Sequence, residues 1–165
     1  SRYGNTFVVP TATFPKAGAR VMDLQEPTRK MSKSEGDSPG TILLFDDPKV
    51  IEKKIKRAVT DTEAEVRFDV DAKPGVSNLL SILGAVTDRT PEEAAVGYTQ
   101  YGPLKTDTAA AVVERLAPVQ ARFAELEADP AETLRLLAIG ADKAQALAGT
   151  TLQRARANIG LVPRP

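Results

Sequence analysis

The sequence predicts a mainly α-helical fold: a helical bundle attached to the trailing edge of an α/β domain. Three observations predict it. Apolar residues recur at helical spacing from residue 46 onward, helix-capping residues open several of those stretches, and residues 1–45 hold too few apolar runs to complete a sheet. Apolar residues make up 42% of the 165 and aromatics only 5%, with no Trp, so the core must be aliphatic.

Within residues 1–45, Phe7-Val8-Val9-Pro10 is a short apolar run stopped by Pro. Gly18 to Leu24 reads as a short strand, and Thr41 to Phe45 as a buried strand or a helix start. Between them, Gln25 to Gly40 is rich in Ser, Pro, Gly and charge and reads as an exposed, mobile loop. These pieces are expected to be the last part of a domain whose main body is absent.

From Asp46 the signals turn helical. Asp47 can cap a helix with Pro48 at its first position, running to about Val59 with Val50, Ile51, Ile55, Ala58 and Val59 on the apolar face. Lys49, Lys53, Lys54, Lys56 and Arg57 occupy much of the rest. Lys73-Pro74-Gly75 reads as a turn before a helix over Val76 to Val86. Thr90-Pro91-Glu92-Glu93 is a capping box that starts another helix, and Gly102-Pro103 interrupts it. Thr106 to Ala128 is amphipathic, with Val112, Val113, Leu116, Val119, Phe123 and Leu126 inward and Pro118 as a candidate kink. Asp129-Pro130-Ala131-Glu132 caps a last helix to about Asn158, with Leu134, Leu137, Ala138, Ala141, Ala144 and Leu147 on one face and Gly160 as its stop. About five helices with short connections imply a bundle.

Composition narrows the chemistry. With neither Cys nor His there is no disulfide, no thiolate or imidazole metal site and no Ser-His or Cys-His pair. Lys plus Arg equals Asp plus Glu at 22 each, but residues 1–60 carry a net +4 and residues 61–165 a net −4. Phosphate binding therefore belongs to the first third. No apolar run approaches the roughly 20 residues of a membrane span, and the N-terminus lacks a signal-peptide pattern, so a soluble, cytoplasmic protein without membrane partners is expected.

The chemistry concentrates in Lys30-Met31-Ser32-Lys33-Ser34. Two ammonium groups lie three residues apart, each beside a hydroxyl, with Arg29 before them and Gly36, Pro39 and Gly40 behind. A flexible cationic loop of this kind suits a triphosphate, because lysines that close on the departing pyrophosphate lower the barrier to attack at the α-phosphate. An arbitrary Lys/Ser loop is usually only a solvated surface. This five-residue string, however, should arise by chance in a chain this long less than roughly once in a thousand sequences.

The pentapeptide resembles the second signature of class I aminoacyl-tRNA synthetases. Its surroundings, Arg2-Tyr3-Gly4, Pro15 to Met22, Asp46-Asp47-Pro48, Glu52 to Lys56, Ala58 to Asp61 and Lys73-Pro74-Gly75-Val76-Ser77-Asn78-Leu79-Leu80, resemble the bacterial tryptophanyl branch over nearly the whole chain. The resemblance implies a Rossmann catalytic domain with a helical, anticodon-binding-like domain appended. Residues 1–45 would be the end of the former and 46–165 the latter, with the last helix packing back on the catalytic part. It implies activation of L-tryptophan with ATP and Mg²⁺, transfer to tRNA, and a homodimeric intact enzyme. Lys30 and Lys33 would be catalytic. Val21, Lys30, Met31, Ser32, Lys33 and Ser34 would bind ATP, with Val21 against adenine. The first, His-containing signature and the tryptophan pocket are absent, so the chain is expected to be the carboxyl-terminal half and inactive alone.

The basic face at Lys53, Lys54, Lys56 and Arg57 is a candidate for tRNA phosphates, although a solvated helix face would look the same. Asp46-Asp47 is explained better by capping than by a metal, so no protein metal ligand is assigned. Arg154 and Arg156 complement a helix C-terminus, and Tyr98 and Tyr101 read as packing residues. Two alternatives stay open: a non-catalytic helical module that binds RNA or protein, and a fragment of the sister tyrosyl enzyme.

Overall fold

The computed structural model describes residues 2–15 and 17–161, and of Glu35 only the backbone. Ser1, Lys16 and residues 162–165, including the ends of the family-like segment, lie outside the described residues. Five α-helices follow in order: α1 Pro48–Lys56, α2 Pro74–Val86, α3 Pro91–Ala95, α4 Tyr101–Ala128 and α5 Pro130–Asn158. A single 3-10 turn spans Lys33–Glu35. The chain divides into two compact units, Phe14–Arg122 and the pairing of Ser1–Thr13 with Phe123–Pro165.

The capping residues act as their chemistry demands. Asp47 Oδ1 accepts from the Lys49 N–H at 2.8 Å ahead of Pro48. The Thr90 hydroxyl accepts from the Glu93 N–H while the Glu93 carboxylate accepts from the Thr90 N–H, so the box closes in both directions. Asp129 accepts from the Glu132 N–H at 3.0 Å, and Gly160 ends the last helix at φ 77°.

In the first unit α2 is the centre of the core. Nine of its residues are buried, from Gly75 through Leu80 and from Ile82 to Gly84, because α2 is apolar on nearly all sides. Ile51 and Ile55 of α1, Leu104, Ala109 and Val112 of α4, Ala94 of α3 and Leu24 join it. Gly75 permits a close approach of the chain after α1: a Cβ there would lie 2.1 Å from the Val59 carbonyl oxygen.

Buried polar groups pin the irregular segments onto this core. Lys73 precedes Pro74 at the start of α2 and is 1% exposed. Its Nζ donates to Asp61 Oδ1 at 2.9 Å and Tyr101 Oη at 3.2 Å and pairs with Glu63 at 2.8 Å. Tyr101 donates in turn to the same Asp61 oxygen at 2.5 Å, and Asp61 Oδ2 is buried without a partner. Burial acts to raise the Asp61 pKa, but the Tyr101 and Lys73 hydrogen bonds outweigh it and hold the carboxyl down at about 2. The sequence reads Lys73-Pro74-Gly75 as a turn; in the structure Pro74 and Gly75 already belong to α2, and Lys73 is buried before it, its charge balanced by the carboxylates of Asp61 and Glu63.

Three further expectations change. Among the described residues there is no strand. Gly18 to Leu24 forms only an isolated antiparallel bridge, Met22 to Lys30, and Thr41 to Phe45 is irregular. Without a neighbouring strand, a short apolar run cannot satisfy its backbone as a sheet. Second, Gly102-Pro103 lies in the first turn of α4 and does not interrupt a helix, since Pro there removes an N–H that has no partner anyway. Pro118 lies inside the same continuous helix. Third, the apolar face of α5 is not buried. No residue of α5 is fully buried, and Leu134, Leu137 and Leu147 are exposed by 67%, 64% and 81%. On α4, Val112 is buried and Val113, Leu116 and Leu126 are half-buried, while Val119 and Phe123 are exposed.

In the second unit the N-terminal segment is tied to the end of α5. Arg154 Nε donates to the Thr6 carbonyl at 2.8 Å and Asn158 Nδ2 to the Thr6 hydroxyl at 2.7 Å. Arg154 therefore serves a backbone carbonyl beyond its own helix, and Arg156 lies in the last turn.

Candidate functional site

The loop from Gln25 to Gly40 leaves the core and returns to it at one short stretch, residues 21–24. Asn78, 4% exposed on α2, accepts from the Met22 N–H at 2.9 Å and donates to the Met22 carbonyl at 2.8 Å. One side-chain amide thus fixes both backbone groups of Met22 in the base of the loop. The Met31 N–H donates to Val21 and the Asp23 N–H to Arg29, which closes the Met22–Lys30 bridge. The far end is held where the Leu24 N–H donates to the Gly40 carbonyl at 2.9 Å. Leu24 in turn accepts from Val59, just beyond α1.

Asp23 governs the turn out of the base. Its carboxylate is buried, accepts from the Gln25 and Glu26 N–H groups at 2.8 and 3.0 Å, and lies 3.8 Å from the Arg29 guanidinium. Gly40 lies against that carboxylate so closely that a Cβ would meet Asp23 Oδ1 at 1.9 Å.

On this frame the five signature residues divide by environment. Met31 is half-buried against the core, as is Val21. Ser32 caps the 3-10 turn, its hydroxyl accepting from the Ser34 N–H at 3.3 Å. Lys30, Lys33 and Ser34 are exposed. The loop therefore buries its methionine as an anchor and presents two cations from a short, capped turn. That arrangement can receive a polyanion without first breaking an internal ion pair: among the described residues, neither Lys30 nor Lys33 forms one.

α1 divides differently from its sequence pattern. Lys53, Lys56 and Arg57 are exposed, with Lys56 in a surface pair with Glu52 at 3.5 Å. Lys54 is not on that face. Its side chain is 9% exposed and its Nζ donates to Asp37 Oδ1 at 2.6 Å and Asp46 Oδ2 at 2.9 Å. Burial acts to lower the Lys54 pKa, but the hydrogen bonds and charges of Asp37 and Asp46 prevail and raise it. An ammonium committed to two carboxylates in this way has its charge balanced within the fold, unlike the exposed Lys53, Lys56 and Arg57. Asp46 also accepts from the Leu43 N–H at 2.9 Å, so its oxygens serve the turn into α1.

The profile of the family described as tRNA synthetases class I (W and Y) matches residues 1–117. The chain belongs to that family. Among curated relatives, the chain is 52% identical over 98% of its length to tryptophan–tRNA ligase 1 of Streptomyces coelicolor, and 48% identical over 99% to the tryptophan–tRNA ligase of Mycobacterium leprae. It covers 48% of each, so the chain spans about half the length of the curated relatives it matches. A solved tryptophanyl-tRNA synthetase of Mycoplasma pneumoniae superposes with a TM-score of 0.76 at 34% identity, covering 87% of this chain and 44% of that one.

Several residues that shape the loop from Gln25 to Gly40 escaped sequence reasoning. Asn78 lies in the segment Lys73 to Leu80 that carries the family resemblance, but the resemblance does not say what it touches. Asp37 gives no signal at all in a polar loop. Asp23 was detectable only as an acidic residue at the end of an apolar run, just before the loop begins.

Proposed function

We propose that this chain is the carboxyl-terminal portion of a tryptophan–tRNA ligase. The intact enzyme attacks the α-phosphate of ATP with the carboxylate of L-tryptophan, releases pyrophosphate, and transfers the tryptophanyl group from AMP to tRNA. In this chain Lys30 and Lys33 take the ATP phosphates. Their charges meet the negative charge that gathers on pyrophosphate as the bond to the α-phosphate breaks. Ser32 caps the turn that presents Lys33, Ser34 lies beside it, Met31 anchors the loop, and Val21 offers an apolar contact for adenine. Lys53, Lys56 and Arg57 offer phosphate contacts to tRNA. Residues 1–45 would end the catalytic domain and 46–165 form the tRNA-binding part, in a homodimeric cytoplasmic enzyme. Mg²⁺ arrives with ATP. Among the described residues no cluster of three or more acidic, Cys or His side chains is placed to hold a metal.

The observation that carries this reading is the exposure of Lys30 and Lys33 on a loop clamped at both ends to α2 and the 57–59 segment. In the intact ligase, Lys30→Ala or Lys33→Ala should lower the kcat of tryptophan-dependent ATP–pyrophosphate exchange by about 100- to 1,000-fold, the effect of removing one strong electrostatic interaction from a transition state. Tryptophan KM should move far less. A kcat within threefold of wild type in both variants sinks the assignment. The 165-residue chain alone should show no tryptophan-dependent exchange, and measurable exchange would refute its standing as half a site.

A further inference from the structure

Besides its two ends, the signature loop is held at a third point. Asp37 lies on its returning arm, and the carboxylate is 72% exposed except where it meets Lys54. Lys54 Nζ is the opposite, an ammonium with 9% of its side chain exposed, held from the other side by Asp46, which is itself 10% exposed. Asp46 is fixed by the Leu43 N–H and by its place before the capped start of α1. The cation is therefore pre-oriented by α1 and aims its remaining donor capacity at the loop. Lys54 is bonded to one carboxylate that cannot leave and one that can.

We propose that Lys54, Asp46 and Asp37 form a positioning latch: α1 carries a fixed Lys54–Asp46 pair, and Asp37 docks on it to set where the loop presents Lys30 and Lys33. The consequence for Lys30 and Lys33 rests on their reading as phosphate ligands; the restraint on the loop does not. Three tethers at residues 22, 37 and 40 leave residues 32–36 as the free span. Releasing Asp37 leaves the outer arm, residues 32–37, without its side-chain tether to α1; among the described residues the arm is then held at its bases, by Met31 against the core, the Met22–Lys30 and Leu24–Gly40 contacts and the Ser38–Thr41 hydrogen bonds. Because Asp37 is open to water, its departure is compensated by hydration, and the fold of the core is indifferent to it. Lys54 then keeps Asp46, so no buried charge is stranded. A contact with those two properties can be made and broken without unfolding its surroundings.

The test is limited trypsin digestion of the 165-residue chain, with cleavage after Arg29, Lys30 and Lys33 followed by mass spectrometry. Each rate is normalised to the same substitution in a synthetic peptide of residues 25–41. Asp37→Ala should raise cleavage in the folded chain by about three- to tenfold, the population change expected for a half-buried ion pair, and leave the melting temperature unchanged. Asp37→Glu should return most of the protection. Raising salt to about 0.5 M should increase wild-type cleavage and leave Asp37→Ala flat, because only wild type has an ion pair to screen. Asp37→Ala cleaved at the wild-type rate overturns the latch. A large fall in melting temperature in Asp37→Ala also overturns it, since the contact would then brace the core. Protection of wild type by ATP is a separate arm: its absence counts against the phosphate reading and leaves the latch standing.

Discussion

Replacing Lys73 by Met tests whether the segment between α1 and α2 is held by charge. Lys73 is wholly buried and bonded to Asp61, Glu63 and Tyr101 at 2.8–3.2 Å. Met fills a similar volume, so the change removes the ammonium with little cavity. Breaking a buried pair from one side costs about 3–5 kcal/mol, because the surviving carboxylate is left uncompensated. Two features place this case near the lower end. Asp61 keeps hydrogen bonds from Tyr101 and from the Glu63 N–H, and Glu63 is 62% exposed and rehydrates. A cost of about 3 kcal/mol in a cooperative unit the size of Phe14–Arg122 lowers the melting temperature by roughly 12 °C. Differential scanning calorimetry of wild type, Lys73→Met, Asp61→Asn and the double variant closes the cycle. The double variant should recover at least half of the Lys73→Met loss, because it no longer strands a charge. A drop below about 3 °C in Lys73→Met, or a double variant no better than the single, would refute the reasoning.

Further outcomes follow from the same groups. Asp61 ionises near 2 in the fold against an ordinary 3.8, so its folded pKa is depressed; the stability it contributes is present above about pH 4 and lost as pH falls toward 2. Urea midpoints across that window should fall more steeply for wild type than for Asp61→Asn. Gly40→Ala drives a methyl group into the Asp23 carboxylate and should cost about 1–3 kcal/mol by urea denaturation, with faster tryptic cleavage of the loop. Leu147→Glu alters a side chain that is 81% exposed and should change the stability of this chain by less than about 0.5 kcal/mol. In the intact ligase, Lys53→Glu with Arg57→Glu should weaken tRNA binding and reduce the slope of log Kd against log salt by about one for each phosphate no longer engaged, whereas an unchanged slope removes the basic face from the interface.

The helices were legible in the sequence because their signals are local. Asp47-Pro48, Thr90-Pro91-Glu92-Glu93 and Asp129-Pro130 each satisfy a helix start with side chains a few residues away, and the structure uses all three as read. The signature pentapeptide was legible for a different reason: the contiguous five-residue string is rare by chance and resembles a family signature. What the sequence could not show was which charges face one another across long separations. Lys53 and Lys54 are neighbours of the same type on one helix, yet one is exposed and the other is buried between Asp37 and Asp46, 17 and 8 residues upstream. Helical periodicity places Lys54 beside the apolar face, three residues after Ile51 and four before Ala58, but it does not show what pairs the charge, and a lysine there is acceptable only if carboxylates arrive from elsewhere in the fold. Lys73 and Asp61 follow the same logic. The face of α5 shows the converse failure. Its leucines recur at the spacing of a buried stripe, and periodicity reports only that a face is apolar, not that this chain supplies what covers it. The loop is where the two kinds of information meet. Lys30 and Lys33 were found from local chemistry, whereas the residues that determine where those two lysines are held, Asn78, Asp23, Gly40, Asp37 and Lys54, emerge only from the meeting of distant parts of the chain.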